Sequence, residues 1–222
     1  MKDYLWLYQH ALEQKGGAKA LEGLLVLPKT AVQLAQVSDS QYLSDLCRRV
    51  FRAGLKHSMV DAKWPAFEKE FFDFSPEKLV LFSDELLDKA MQNKKLIRHW
   101  GKIKSIRQNA LMVREASRIN SGFGRFLADW PEDEIISLWR YLARQGAHLG
   151  GNSAAYFLRM AGKDTFILTR DVVGALVAQG IIRKHPTSKA DLAAVQDAFN
   201  GWREQSGRPL CQLSRMLAFC VG

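Results

Sequence analysis

The chain has 222 residues, 47% apolar and 25% charged, the make-up of a globular protein with one or two real cores. Its formal net charge of +9 favours a polyanionic partner or an anionic surface. The start of the chain lacks a signal-peptide core, and no apolar run approaches membrane-spanning length, so a cytoplasmic protein with no membrane partner is expected. Cys47, Cys211 and Cys220 show no CxxC spacing, which points to buried thiols in a reducing compartment rather than disulfides or zinc.

Helical periodicity dominates from the first residues. Asp3 can cap a helix carrying Tyr4, Leu7, Tyr8 and Ala11, ended by Gly16 and Gly17. Leu21, Leu24 and Leu25 mark a short helix that stops before Pro28. Ser38 with Gln41 has capping-box form, and the helix that follows puts Tyr42, Leu43, Leu46, Cys47, Val50 and Phe51 on one face. Ser75-Pro76 and Ser83 read as helix starts. Leu86, Leu87 and Ala90 form one apolar face, and Ile103, Ile106, Ala110 and Val113 another. Pro131 and three acidic residues supply the first turn of a helix through Ile135, Leu138, Trp139 and Leu142. Ser188 can cap a helix with Leu192, Val195, Phe199 and Trp202, and Leu210 to Leu217 close the chain. Ten to twelve helices and no sustained alternation make the class all-α.

The helix at 135 leads into a tight turn, Ala147-His148-Leu149-Gly150-Gly151, and then a second helical pattern with Ala154, Ala155, Phe157, Leu158 and Ala161. Glycines let a backbone turn tightly and leave its amides uncovered, and such amides at a helix start bind phosphate oxygens. The bland alternative is a helix-helix corner of an all-α protein. Asp171 stands twenty residues after Gly151 and opens a further helical run.

These residues resemble the helix-hairpin-helix family of DNA base-excision glycosylases, in which an hGxGxxxA hairpin is followed about twenty residues on by an essential aspartate. Leu149 stands at the first glycine of that pattern, Gly151 at the second, and Ala155 at the alanine. A second resemblance runs over roughly residues 43–115. The segments CRRVFRAGLKH, WPAFEKEFFDFSP and LIRHWGKIKSIRQNA are similar, in order, to the motifs of the 3-methyladenine DNA glycosylase I family. Arg49 stands where that family has a glutamate implicated in its base pocket, and His57 where it has a tryptophan. The family's zinc ligands have no counterparts, so no zinc is expected. No cofactor is expected either, beyond at most a monovalent cation at the hairpin.

The resemblance implies a single glycosylase-like unit over 1–222. One lobe spans about 38–165 and includes the helix-hairpin-helix 135–161. The other joins 1–37 with 171–222, with double-stranded DNA in the cleft between them. Asp171 is the candidate catalytic residue, a carboxylate that stabilises a cationic sugar and orients or deprotonates water; its bland role is a helix cap. Ser153 stands where bifunctional members carry a Schiff-base lysine, which implies no lyase activity. Serine there also suits a helix start. Candidate DNA contacts are Leu149, Gly150, Gly151, Asn152 and Ser153, with Lys102, Lys104 and Arg107 from a run of nine Lys and Arg against one acid between Lys94 and Arg125. Candidate base-pocket residues are Arg49, Phe51, His57, Trp64 and Trp100, and Leu55 is a candidate wedge. Each aromatic can equally be core. The expected function is a monomeric, monofunctional DNA glycosylase that hydrolyses the N-glycosidic bond of alkylated, 3-methyladenine-like bases. The alternatives are a non-catalytic DNA-binding module of the same fold and a helical protein-interaction domain.

Overall fold

The computed structural model describes residues 1–221, which form fourteen α-helices, two 3-10 turns and no strand. In chain order the helices are α1 (Tyr4–Lys15), α2 (Ala18–Glu22), α3 (Ala31–Ala35), α4 (Asp39–Arg52), α5 (His57–Glu70), α6 (Pro76–Leu79) and α7 (Asp84–Gln92). They continue as α8 (Trp100–Asn120), α9 (Phe123–Asp129), α10 (Ile135–Gln145), α11 (Ser153–Ala161), α12 (Arg170–Ala178), α13 (Lys189–Ser206) and α14 (Leu210–Phe219). The chain divides into a central unit, Thr30–Trp130 with Trp139–Lys163, and a terminal unit, Met1–Lys29 with Pro131–Leu138 and Asp164–Gly222.

These boundaries differ from the expected lobes. Residues 30–37 lie in the central unit because α3 packs on α9: a Cβ at Gly124 would collide with the Leu34 carbonyl, and the Tyr42 hydroxyl donates to the same oxygen at 2.7 Å. Residues 131–138 lie in the terminal unit, where Ile136 N–H donates to Gln196 and Glu132 pairs with Arg203.

The central unit is built on α8, the longest helix, with α4, α6 and α9 packed on it. Phe51, Trp64, Phe67, Phe71 and Phe74, all 0% exposed, form an aromatic core beneath α4. The sequence hides α5, because Pro65 sits inside it; proline removes one backbone donor and normally ends a helix. The turn Phe72-Asp73-Phe74 runs at φ of 52°, 50° and 55°, a left-handed stretch unusual for residues with side chains, and it seats Phe71 and Phe74 inside. Capping is only partly as read: Ser38 accepts from Gln41 N–H, while the reciprocal capping box lies at Thr30 and Gln33.

In the terminal unit α1, α12 and α13 pack on α14. Asp3 caps α1 by accepting from Trp6 N–H, and Ser188 caps α13. Helix α2 stops at Glu22, so Leu24 and Leu25 lie outside it. Arg208 ties the two chain ends together, bonding Glu22 at 2.5 and 3.1 Å and the Tyr4 hydroxyl at 2.7 Å.

Candidate functional site

The hairpin turn is fixed from beneath by α8. Asn109, fully buried, accepts from the Ala147 N–H at 2.8 Å and donates to the Ala147 carbonyl at 3.3 Å. Gly146 leaves no room for a side chain: a Cβ there would lie 2.7 Å from Leu149 Cδ1 and 2.9 Å from both Asn109 Oδ1 and the Leu142 carbonyl. His148 turns the chain at φ +59°, and Leu149 plugs the turn at 1% exposure, so only its backbone is available to a partner. Gly150 and Gly151 are exposed, with open space around both α-carbons, and Gly151 sits at φ +56°. Among the described residues their amides make no intramolecular hydrogen bond. Asn152 occupies the cap position of α11 and Ser153 opens the helix, with Ala154 and Ala155 buried behind them.

A groove of about 520 Å³ lies at the C-terminal end of α4, lined by Arg49, Arg52, Leu55, His57, Tyr156 and Met160 with Ala53 and Gly54. The turn over Gly54 takes φ +76°, which glycine alone adopts without strain. The Arg49 guanidinium lies 4.7 Å from the centre of the Tyr156 ring. Arg52 forks onto Asp61, with three N–O contacts between 2.7 and 3.1 Å. Burial lowers the pKa of Arg49 below the usual arginine range, Tyr156 working against it and Arg52 adding to it.

Of the expected pocket residues, Arg49 and His57 line this groove; the candidate wedge Leu55 lines it too, half-buried. Phe51 and Trp64 do not. Both are 0% exposed in the aromatic core, and Trp64 Nε1 donates to Ser44 at 2.9 Å, so neither has a face to offer a base. Trp100 is 40% exposed in the first turn of α8 and is not part of the lining. Tyr156 also lines the groove, a position that the sequence alone does not single out. Its signal is its place three residues after Ser153, on the face of α11 that the buried residues leave free.

The expected basic contacts also separate. Lys102 is 8% exposed, and its ammonium donates to the carbonyls of Phe51 at 3.2 Å and Ala53 at 2.6 Å, closing the end of α4. Burial, with nearby Arg49, lowers its pKa. Arg107 pairs with Asp84 at 2.7 Å and donates to the Phe82 carbonyl. Lys104 is exposed.

Asp171 is exposed in the first turn of α12, and Thr169, not Asp171, caps that helix by accepting from Val172 N–H at 3.2 Å. The segment leading to it is held at three points of the terminal unit. Asp164 accepts from the N–H groups of Leu210 and Cys211 at 2.7 and 2.8 Å, at the start of α14. Phe166 stacks on Phe199 at 4.1 Å, and Ile167 N–H donates to Ser214. Among the described residues no group of three or more His, Cys, Asp or Glu is arranged to hold a metal, and no helix is long and apolar enough to cross a membrane. Cys47 and Cys211 are buried and Cys220 half-buried, all as free thiols.

The fold is that of known DNA glycosylases. A 3-methyladenine DNA glycosylase I from Staphylococcus aureus superposes with a TM-score of 0.52 at 21% identity, covering 68% of this chain and 91% of that one. The 8-oxoguanine DNA glycosylase of Thermotoga maritima gives 0.54 at 15% identity over 97% and 95%. An 8-oxoguanine glycosylase/lyase of Methanocaldococcus jannaschii, bound to a 15mer DNA containing 8-oxoguanine, gives 0.52 at 16% over 96% of both chains. Among curated proteins no sequence matches. The model of the methyladenine glycosylase family matches residues 33–156, which take in α4, α8 and the hairpin turn. The chain belongs to the methyladenine glycosylase family of DNA glycosylases.

Proposed function

We propose that this protein releases an alkylated base from double-stranded DNA by hydrolysing its N-glycosidic bond, as a monomer and without cutting the strand. The observation that carries this reading is the setting of Asp171. Thr169 has taken over the capping of α12, and the carboxylate stands exposed on a segment pinned by Asp164, Phe166 and Ile167. Loss of the base builds positive charge on the sugar, and a fixed carboxylate stabilises that charge and orients the attacking water. The hairpin supplies the grip: open amides at Gly150 and Gly151, at the start of α11, suit a phosphate oxygen and read no sequence. Ser153 offers no amine for a Schiff base, so hydrolysis ends with an intact strand.

The test is base release from alkylated duplexes, carrying cationic methyl or neutral etheno adducts, by wild type and Asp171→Asn. Loss of one electrostatic stabiliser is expected to slow release by about a hundredfold or more. Release that persists unchanged in the variant refutes the catalytic role of Asp171. Strand cleavage at neutral pH without added amine refutes the monofunctional reading. If wild type releases no alkylated base and keeps salt-sensitive duplex binding, the protein is a binding module of this fold.

A further inference from the structure

The groove at the end of α4 is built for a particular charge. None of its lining residues is Asp or Glu. Arg52, one of its two guanidiniums, is already forked onto Asp61. Arg49 is different. Its Nε is buried and has no hydrogen-bond partner among the described residues, and no carboxylate pairs with it. Lys102, whose pKa Arg49 helps to lower, has its ammonium on backbone carbonyls. The groove therefore carries a guanidinium and no acid among its lining residues to balance a second positive charge.

We propose that Arg49 selects the base: the groove takes an alkylated purine that is neutral in DNA and presents two adjacent acceptor atoms, and it rejects ring-N-methylated purine cations. The proposal rests on the base-excision reading and deepens it. A guanidinium is a planar fork that matches two neighbouring acceptors, as it does at the O6 and N7 edge of guanine. Ethenoadenine offers the same pattern. Closing its extra ring turns the amino nitrogen into an acceptor beside the ring N7, and the base stays uncharged at neutral pH. The Tyr156 ring holds the guanidinium from one side, and Leu55 and Met160 provide apolar surface for the rest of the adduct. A ring-N-methylated adenine cation keeps at most one of these two acceptors and meets a like charge at short range in a partly dehydrated site.

The experiment uses the full chain and free-base analogues, so it does not depend on catalysis by Asp171. Calorimetric titration compares 9-ethyl-ethenoadenine with 3,9-dimethyladeninium on wild type, Arg49→Met and Arg49→Glu. Wild type is expected to bind the neutral analogue at least about tenfold more tightly, given the like-charge penalty in a partly solvated groove. Arg49→Met, close in length, should lose most of that preference with an unchanged melting curve, and Arg49→Glu should reverse it. Equal or tighter binding of the cation by wild type overturns the proposal. So does binding of neither analogue, or an unchanged preference in Arg49→Met. Displacement of the neutral analogue by an equal concentration of inorganic phosphate also overturns it, by making Arg49 a backbone contact. Base release that fails while the selectivity holds counts against the enzyme reading alone.

Discussion

Replacing Asn109 by alanine should loosen the hairpin more than any other single change beneath it. The side chain is 0% exposed and makes two bonds to one residue, Ala147, at 2.8 and 3.3 Å. Each is worth about 1 kcal/mol net, and a peptide group stranded without partners in a half-buried turn adds about 1–2 kcal/mol more. The expected loss is therefore about 3–4 kcal/mol. For a chain of this size that lowers the melting temperature by roughly 6–16 °C. Because the same bonds set the turn that exposes Gly150 and Gly151, affinity for undamaged duplex should fall about tenfold, the equivalent of one lost charge-assisted contact. Gln108 is the control: it is exposed and reaches the Gly146 carbonyl only at 3.5 Å, so Gln108→Ala should cost under about 0.5 kcal/mol. Thermal melts and fluorescence-anisotropy titrations at fixed salt measure both effects. An Asn109→Ala protein that melts within about 2 °C of wild type and binds duplex equally well, or one no worse than Gln108→Ala, would refute the reasoning.

Four further outcomes follow from the geometry. Lys102→Met should lose about 1.5–3 kcal/mol of stability, because a charged donor to two carbonyls disappears, yet leave the salt dependence of DNA binding unchanged. Lys104→Met should do the reverse, reducing the slope of log affinity against log salt by about one; titrations at several salt concentrations separate the two. Asp164→Asn should cost about 1–2 kcal/mol in chemical denaturation, since it removes the ionised cap from the first amides of α14. Hydrogen bonding to Arg208 lowers the pKa of Glu22, so the unfolded carboxyl binds protons first as the pH falls. Its contribution is present in full above the ordinary carboxylate range and is lost as the pH drops through the lower folded value. Melts of wild type and Glu22→Gln should differ most near neutral pH and converge in acid; a gap that widens in acid contradicts that sign.

Much of the fold was readable because local rules and burial agreed. Asp3, Ser38, Ser83 and Ser188 each accept a first-turn N–H as their residue types suggest, and the hairpin glycines stand in a turn. What stayed hidden was decided by tertiary packing. Helix α5 persists through Pro65 because Trp64 and Phe67 on either side of it are driven into the aromatic core. The same core absorbs Phe51 and Trp64, which periodicity cannot distinguish from stacking residues in a groove. Charge counting failed for Lys102 for a related reason. A lysine stem can cross apolar surface and cap a neighbouring helix, and nothing in a linear run of basic residues shows which member will do so. Asn109 gave a fainter sign: an amide amid Ile106, Ala110 and Val113 on a helix needs buried partners, and the hairpin provides them.

The arrangement of α11 lets residues of the groove vary while the hairpin keeps its shape. Ala154, Ala155, Phe157, Leu158 and Ala161 are buried, and they fix the helix in the central unit. Ser153, Tyr156 and Met160 follow at spacings of three and four on the half-buried face. The helix start that adjoins the open amides of Gly150 and Gly151 thus belongs to the same rigid rod that carries Tyr156 to Arg49. A substitution at Arg49, Tyr156 or Met160 alters the charge and surface of the groove without disturbing the alanines that seat the helix. The turn itself depends on a different set, Asn109, Gly146 and Leu149, none of which lines the groove. Under the proposed function, two separate groups of residues on one scaffold divide grip from choice of base, so an arginine at the groove is compatible with a hairpin that holds DNA by its amides.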